Sequence, residues 1–162
     1  MKLKKQLQYL IARDARVCHI PVDAELLVDR KNAAEIEVNR VVQHARQCVP
    51  AQHNALFVFE SALTGRLLNL QEEEQRFALA HGEAAQNINQ GLGSIVREVL
   101  NCASGEIKGL YMTGGDTMVN VLKELGATGI EMIDYVIPQT DMVRIIGGDY
   151  AGLICVGKGG LT

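Results

Sequence analysis

Residues 112–117 read Met-Thr-Gly-Gly-Asp-Thr, a set of types suited to holding an anion. Gly114 and Gly115 let the backbone approach a ligand with no side chain in the way. Thr117 adds a hydroxyl and Asp116 a carboxylate. A carboxylate repels a phosphate unless a cation such as Mg2+ lies between them, which makes Asp116 a candidate metal-binding residue. The same four residues also read as a plain Gly-Gly turn in which Asp116 caps a helix or serves as a base. The residues alone leave both readings open. Further on, Val156-Gly-Lys-Gly-Gly160 sets Lys158, a mobile point charge, among glycines. A third cluster, Gly147-Gly148-Asp149, lies between them. If the first and last clusters share the carboxyl edge of one sheet, they form a crevice lined by N–H groups, fit for a polyphosphate. The middle cluster reads equally well as a hairpin turn.

These residues need elements to position them. Leu110, Tyr111 and Met112 form a short apolar run of strand type, while Met118, Val121, Leu122 and Leu125 recur at helical spacing. The unit is therefore strand, glycine turn, helix. Its helix N-terminus points at the carboxyl end of the sheet, where open α/β sheets bind ligands. Gly126 ends that helix. Ile130 to Ile137 reads as a strand, Pro138 to Asp141 as a loop, and Val143 to Ile146 and Leu153 to Val156 as strands of a C-terminal hairpin.

The earlier part of the chain alternates in the same way. Lys2 to Asp14 is an amphipathic helix, Arg16 to Val22 a strand, and Asp23 to Leu27 a single helical turn. Asn32, with Glu35 three residues on, can cap a helix whose stripe is Val38, Val41, Val42, Ala45 and Val49 and which stops at Pro50. Ala55 to Phe59 is a second buried-type strand, followed by a Thr64-Gly65-Arg66 loop whose arginine reads as solvated. Residues 71–102 are helix-rich, and Gly82, Gly91 and Gly93 predict a break or kink. Gly91-Leu92-Gly93 has neither a third glycine nor a preceding strand, so it is a poor dinucleotide fingerprint. The expected fold is α/β, a mostly parallel sheet flanked by helices in three layers, with a C-terminal β-hairpin. Residues 1–162 are expected to form a single nucleotide-binding domain.

The totals narrow the function. The chain has 162 residues, 48% hydrophobic and 22% charged, the balance of an ordinary globular domain. A net charge of −3 argues against a nucleic-acid surface. No apolar run reaches the ~20 residues that span a bilayer, and the Lys-rich start is too interrupted for a signal peptide. A cytoplasmic location follows as the expectation. The four cysteines, at 18, 48, 102 and 155, form no Cys-x-x-Cys pair. Cys18 and Cys155 sit in apolar runs and read as small core hydrophobes.

Taken together, Met112-Thr-Gly-Gly-Asp-Thr117, Leu122-Lys-Glu-Leu-Gly126, Ile146-Gly-Gly-Asp-Tyr-Ala-Gly-Leu153 and Val156-Gly-Lys-Gly-Gly160 resemble the C-terminal, nucleotide-binding half of the four-carbon acid sugar kinase family. That family includes oxo-tetronate, threonate and erythronate kinases. Lys5-Gln-Leu-Gln-Tyr-Leu10 is similar to the helix that opens this half. The resemblance implies ATP binding at Gly114, Gly115, Asp116 and Thr117, and again at Gly160 after the terminal lysine. It implies an ATP- and Mg2+-dependent kinase acting on a sugar acid. The family's N-terminal sugar-acid-binding domain, with its Asp-Asp-x-Thr-Gly motif, has no counterpart in these residues. Nor does the Gly-Ser-rich turn that lends a serine to the nucleotide, and Gly159 stands where a serine is expected. This chain alone is therefore expected to bind ATP weakly and phosphorylate nothing, to meet its sugar acid through that absent domain, and to self-associate through an exposed interdomain face. No catalytic base is assigned. The alternative is a non-catalytic nucleotide- or sugar-phosphate-binding module from a truncated or split gene.

Overall fold

A computed structural model describes residues 2–48, 55–63, 66–103 and 105–159. The chain forms two compact units, residues 1–91 and 92–162.

In the first unit, α1 (Lys2–Arg13) precedes β1 (Val17–Pro21), then α2 (Ala24–Leu27), α3 (Asn32–Cys48), β2 (Leu56–Glu60) and α4 (Leu70–Phe77). β1 and β2 pair in parallel, Val17 opposite Leu56 through Pro21 opposite Glu60. Ile20, Leu27, Val28, Val41 and Val42 are buried, which accounts for the apolar runs of β1, α2 and α3. Asp23 caps α2 by accepting from the Glu25 amide. Asn32 is the first residue of α3 rather than its cap, and the Glu35 amide reaches back to the Lys31 carbonyl. The stop at Pro50 falls outside the described residues. Glu37, on the inner side of α3, is buried because it binds the Asp23 amide at 2.7 Å and Arg40 at 2.7 Å. His19 is half-buried beside Glu60 at 3.2 Å. Arg66 is exposed and only 3.9 Å from Glu25, in keeping with a solvated loop arginine.

Cys18 departs from expectation. It is bonded to Cys48 in a disulfide that ties β1 to the last residue of α3, with Cα atoms 6.6 Å apart. An apolar neighbourhood says nothing about a partner 30 residues away, so the local pattern had no means of revealing the bond. Cys155 is a buried thiol, as expected, and burial pushes its pKa up to about 11.

The predicted break in the long helical segment falls at Gly82, which has φ +84°. It separates α4 from α5 (Glu83–Ala103). Gly91 and Gly93 do not interrupt α5. They are packing positions instead: a Cβ on Gly91 would strike the Leu27 side chain, and one on Gly93 would strike Glu124.

The second unit continues with β3 (Gly109–Thr113), α6 (Gly115–Glu124), β4 (Gly129–Ile137), β5 (Thr140–Ile146) and β6 (Ile154–Lys158). The strand order is β3-β6-β5-β4. Only β3 and β6 run parallel; β5 is antiparallel to both β6 and β4. The expectation of one mostly parallel sheet is therefore corrected. The fold is α/β, but it holds a two-stranded parallel pair and a separate mixed sheet of four strands. Two hairpins produce the mixture. One turns at residues 147–153, as predicted. The other turns at Pro138–Gln139, where a longer loop was expected and β5 in fact begins at Thr140. Gln139 reaches φ +64° to close it.

Met112, Val143, Ile145 and Cys155 from the sheet bury against Val121, Leu122 and Leu125 of α6's face and Leu100 of α5. This is the stripe read from the sequence. At the end of α6, the Ala127 amide reaches the Leu122 carbonyl and Gly126, at φ +71°, takes the left-handed position.

Candidate functional site

The parallel pairing of β3 with β6 decides which glycine clusters meet. Thr113 lies directly opposite Lys158, so both strands end at the same edge. The Gly114 amide donates to the Lys158 carbonyl at 3.1 Å, which stitches the turn after β3 to the end of β6. Gly114 is the N-cap of α6 with φ +91° and ψ 122°, a backbone state that L-residues rarely take. No side chain caps this helix. The first amide to bond within it is that of Met118, to the Gly114 carbonyl at 3.0 Å. The amides of Gly115 and Asp116 precede it and face out of the helix start.

The two glycines of the turn do different work. Gly114 is needed for its backbone angle. Gly115 has no positive φ, and a Cβ built there meets nothing within 4 Å. That open space is where a ligand atom can approach the backbone. Asp116 is exposed in the first turn of α6. It is not the helix cap, so the capping reading is corrected; it stands one residue too far along. The Asp116 carbonyl accepts from the Asn120 side chain at 2.8 Å. Thr117 is half-buried with its hydroxyl near the Gly114 side of the turn. Lys158 is half-buried at the strand end, and the Gly159 amide donates to the Gln139 carbonyl at 2.9 Å. Gly160 lies outside the described residues.

The middle cluster belongs elsewhere. Because β5 runs against β6, residues 147–148 lie at the opposite end of the sheet from Gly114 and Lys158. A Cβ on Gly148 would come within 2.6 Å of the Gly126 carbonyl oxygen, and both glycines have positive φ. They are hairpin and packing residues.

Three features at the edge escaped the sequence reading. A Cβ on Gly157 would strike the Met118 sulfur, so this glycine lets α6 lie close on β6. Gln139 brings the tip of the β4–β5 hairpin to the Lys158–Gly159 segment. Thr140, opposite Lys158 in the ladder, is 3% exposed and its hydroxyl has no hydrogen-bond partner among the described residues. Directly paired residues share a sheet face, so Thr113, Lys158 and Thr140 stand on one face across three strands. Only strand order reveals this, since Thr140 and Thr113 are far apart in sequence.

Among the described residues no group of three His, Cys, Asp or Glu side chains is placed to hold a metal. A lone exposed carboxylate suits Mg2+ all the same when the ion arrives on a nucleotide, because Mg2+ is usually held by one or two carboxylates plus phosphate oxygens.

The chain is similar to several known proteins. Residues 2–162 match the model of the nucleotide-binding C-terminal domain. A D-erythronate kinase of Heliobacterium modesticaldum is 35% identical over 148 residues, covering 90% of this chain and 33% of that protein. A Bordetella bronchiseptica protein of the DUF1537 domain, solved as a domain-swapped dimer with bound citrate, superposes with a TM-score of 0.60. It is 25% identical, over 96% of this chain and 33% of that one. A Haemophilus influenzae DUF1537 protein superposes with a TM-score of 0.66 at 16% identity, over 98% of this chain and 34% of its own. The chain thus spans about a third of the length of the relatives it matches.

Proposed function

The chain belongs to the family of nucleotide-binding C-terminal domains of the four-carbon acid sugar kinases, and from that premise we propose that residues 1–162 are the ATP-binding part of a kinase for a four-carbon sugar acid of the erythronate or oxo-tetronate kind. The observation that carries the proposal is the shared edge: an uncapped helix start at Gly114–Thr117 beside the strand end at Lys158–Gly159. Phosphoryl transfer asks mainly for positioning and charge neutralisation. The amides of Gly115 and Asp116 offer donors to phosphate oxygens at the positive end of the helix dipole. The open space over Gly115 admits those oxygens, Lys158 supplies a cation from the neighbouring strand, and Thr117 a hydroxyl. Gly160, the next glycine but one in the sequence after Lys158, is proposed as a further phosphate-binding residue. Asp116 is the residue to hold Mg2+, directly or through water; the ion, when bound, would neutralise charge between the β- and γ-phosphates.

The sugar acid is bound by a region outside these residues, which accords with the share of the relatives that the chain spans. Alone, the chain binds ATP and has no acceptor to phosphorylate, and it self-associates. The cytoplasm, where ATP is supplied, is the proposed location. No described helix is long and apolar enough to cross a membrane. The Cys18–Cys48 bond is the one observation that runs against a reducing compartment.

The test is calorimetry with Mg2+-ATP, followed by a coupled ADP-release assay over four-carbon sugar acids. Both are run on this chain and on a fusion that restores an N-terminal kinase half. ATP binding by both proteins, with sugar-acid-dependent turnover only in the fusion, is the expected result. Turnover by the isolated chain would place the acceptor site within these residues and overturn the half-enzyme reading. Binding of sugar phosphates in competition with, and more tightly than, ATP would favour the non-catalytic alternative.

A further inference from the structure

Lys158 is awkwardly placed for the work proposed for it. A Cβ on Gly157 would strike the Met118 sulfur, so Gly157 faces α6. Lys158, the next residue along β6, therefore starts out from the opposite face of the sheet. Its ammonium rides on a flexible four-carbon stem, and fixing such a stem costs rotamer freedom. A group that holds the stem lets the cation stand at the strand end beside Gly114–Thr117. The ladder puts one there. Thr140 lies directly opposite Lys158, and directly opposed residues share a face with Cβ atoms about 4.5–5.5 Å apart. The Gly159 amide donates to the Gln139 carbonyl at 2.9 Å, which ties the tip of the β4–β5 hairpin to the residue after Lys158. The Thr140 side chain is buried, and its hydroxyl has no hydrogen-bond partner among the described residues. A hydroxyl so placed has lost water without compensation, a penalty that valine, of the same shape, would avoid. Thr113, on the other side of Lys158, is only half-buried, so water can serve it. The unmet hydrogen bond in this row is that of Thr140.

We propose that Thr140 is a positioning residue of the nucleotide site: when a nucleotide binds, its hydroxyl accepts a hydrogen bond from the Lys158 ammonium and holds that cation at the shared edge of β3 and β6. The inference rests on the proposed function, since Lys158 needs a fixed place only if it meets an anion. An ammonium has three N–H donors and no acceptor, and a threonine hydroxyl can accept. One donor given to Thr140 leaves two for phosphate oxygens. An ammonium in water has better acceptors than a buried hydroxyl. Closing an anion over it strips that water, and the hydroxyl then becomes the acceptor within reach. Thr140 touches no phosphate in this arrangement and acts through Lys158.

Calorimetry with Mg2+-ATP beside thermal denaturation, on the whole chain, tests this. Thr140→Val should raise the Kd for ATP roughly tenfold, the low end for a hydrogen bond to a charged group. The melting temperature of the same variant without nucleotide should hold or rise, because an unpaired hydroxyl has gone. Thr140→Ser should bring the affinity back while melting lower for want of the methyl group. Lys158→Met should itself weaken ATP binding, and adding Thr140→Val to it should cost nothing further, the sign of a residue that acts through that lysine. Should the valine variant fold poorly, Thr140→Ala set against Thr140→Ser makes the same contrast of no hydroxyl with one. Wild-type affinity in the folded valine or alanine variant, or a loss as large without Lys158 as with it, would overturn the inference and leave the nucleotide site standing. A wild type that binds no ATP would overturn the nucleotide site itself, and the positioning role with it.

Discussion

The two glycines that open α6 should respond oppositely to substitution. Gly115→Val places a branched side chain where a Cβ meets nothing within 4 Å, so the fold has no reason to object. Valine is a better helix former than glycine by a few tenths of a kcal/mol, and the melting temperature should hold or rise slightly. The same side chain fills the space through which a phosphate oxygen would reach the Gly115 amide. Losing one hydrogen bond to a charged group costs about 1.5–3 kcal/mol, which raises the Kd for ATP by roughly ten- to a hundredfold. Gly114→Ala is the converse. At φ +91° an alanine is strained whatever the space, at about 1–3 kcal/mol, so stability falls first. Calorimetry with Mg2+-ATP, run beside thermal denaturation, separates the two effects. Gly115→Val with wild-type affinity would refute the phosphate site and reduce the Gly-Gly pair to a turn. A Gly114→Ala protein as stable as the wild type would refute the division of labour between them.

Asp116→Asn should weaken binding of Mg2+-ATP more than that of metal-free ATP, since the residue stands past the cap position and has the metal as its proposed partner; titrations with Mg2+ and with EDTA that agree would remove that role. Cys18→Ser opens a loop of 30 residues and should cost about 3–4 kcal/mol in the chain-entropy account, read from denaturant unfolding without reductant. Correspondingly, unreduced denatured protein should titrate two thiols and the reduced protein four, and four thiols without reductant would exclude the Cys18–Cys48 bond. Cys155, fully buried with its thiol held up at about 11 by desolvation, should resist iodoacetamide at neutral pH while Cys102, which is exposed, reacts. Its folded pKa lies above the ordinary thiol value of 9.0, so the unfolded chain loses this proton first and stability should fall as pH rises from about 9 to about 11.

Periodicity and turn chemistry were enough to find most elements, because a helix or strand announces itself through which residues it must bury. The strand, glycine turn and helix at 109–124 followed from three apolar residues, two glycines and a helical stripe, and so did the separation of α4 from α5 at Gly82. The anion-binding chemistry proposed for Gly114–Thr117 and Lys158 rests likewise on residue type, since glycine, hydroxyl, carboxylate and ammonium carry their possibilities with them. Strand direction was not. Whether a strand pairs parallel or antiparallel depends on partners far along the chain, which is why one mostly parallel sheet was expected and a mixed one is found. The pairing of β3 with β6 then brought Lys158 to Gly114 and set Gly147 and Gly148 at the other end, a sorting that three similar glycine clusters could not provide. The Cys18–Cys48 bond, the burial of Glu37 and the orphan hydroxyl of Thr140 arise from the same cause. Each depends on what another element places beside the residue, and contacts between distant segments exist only once the chain has closed on itself.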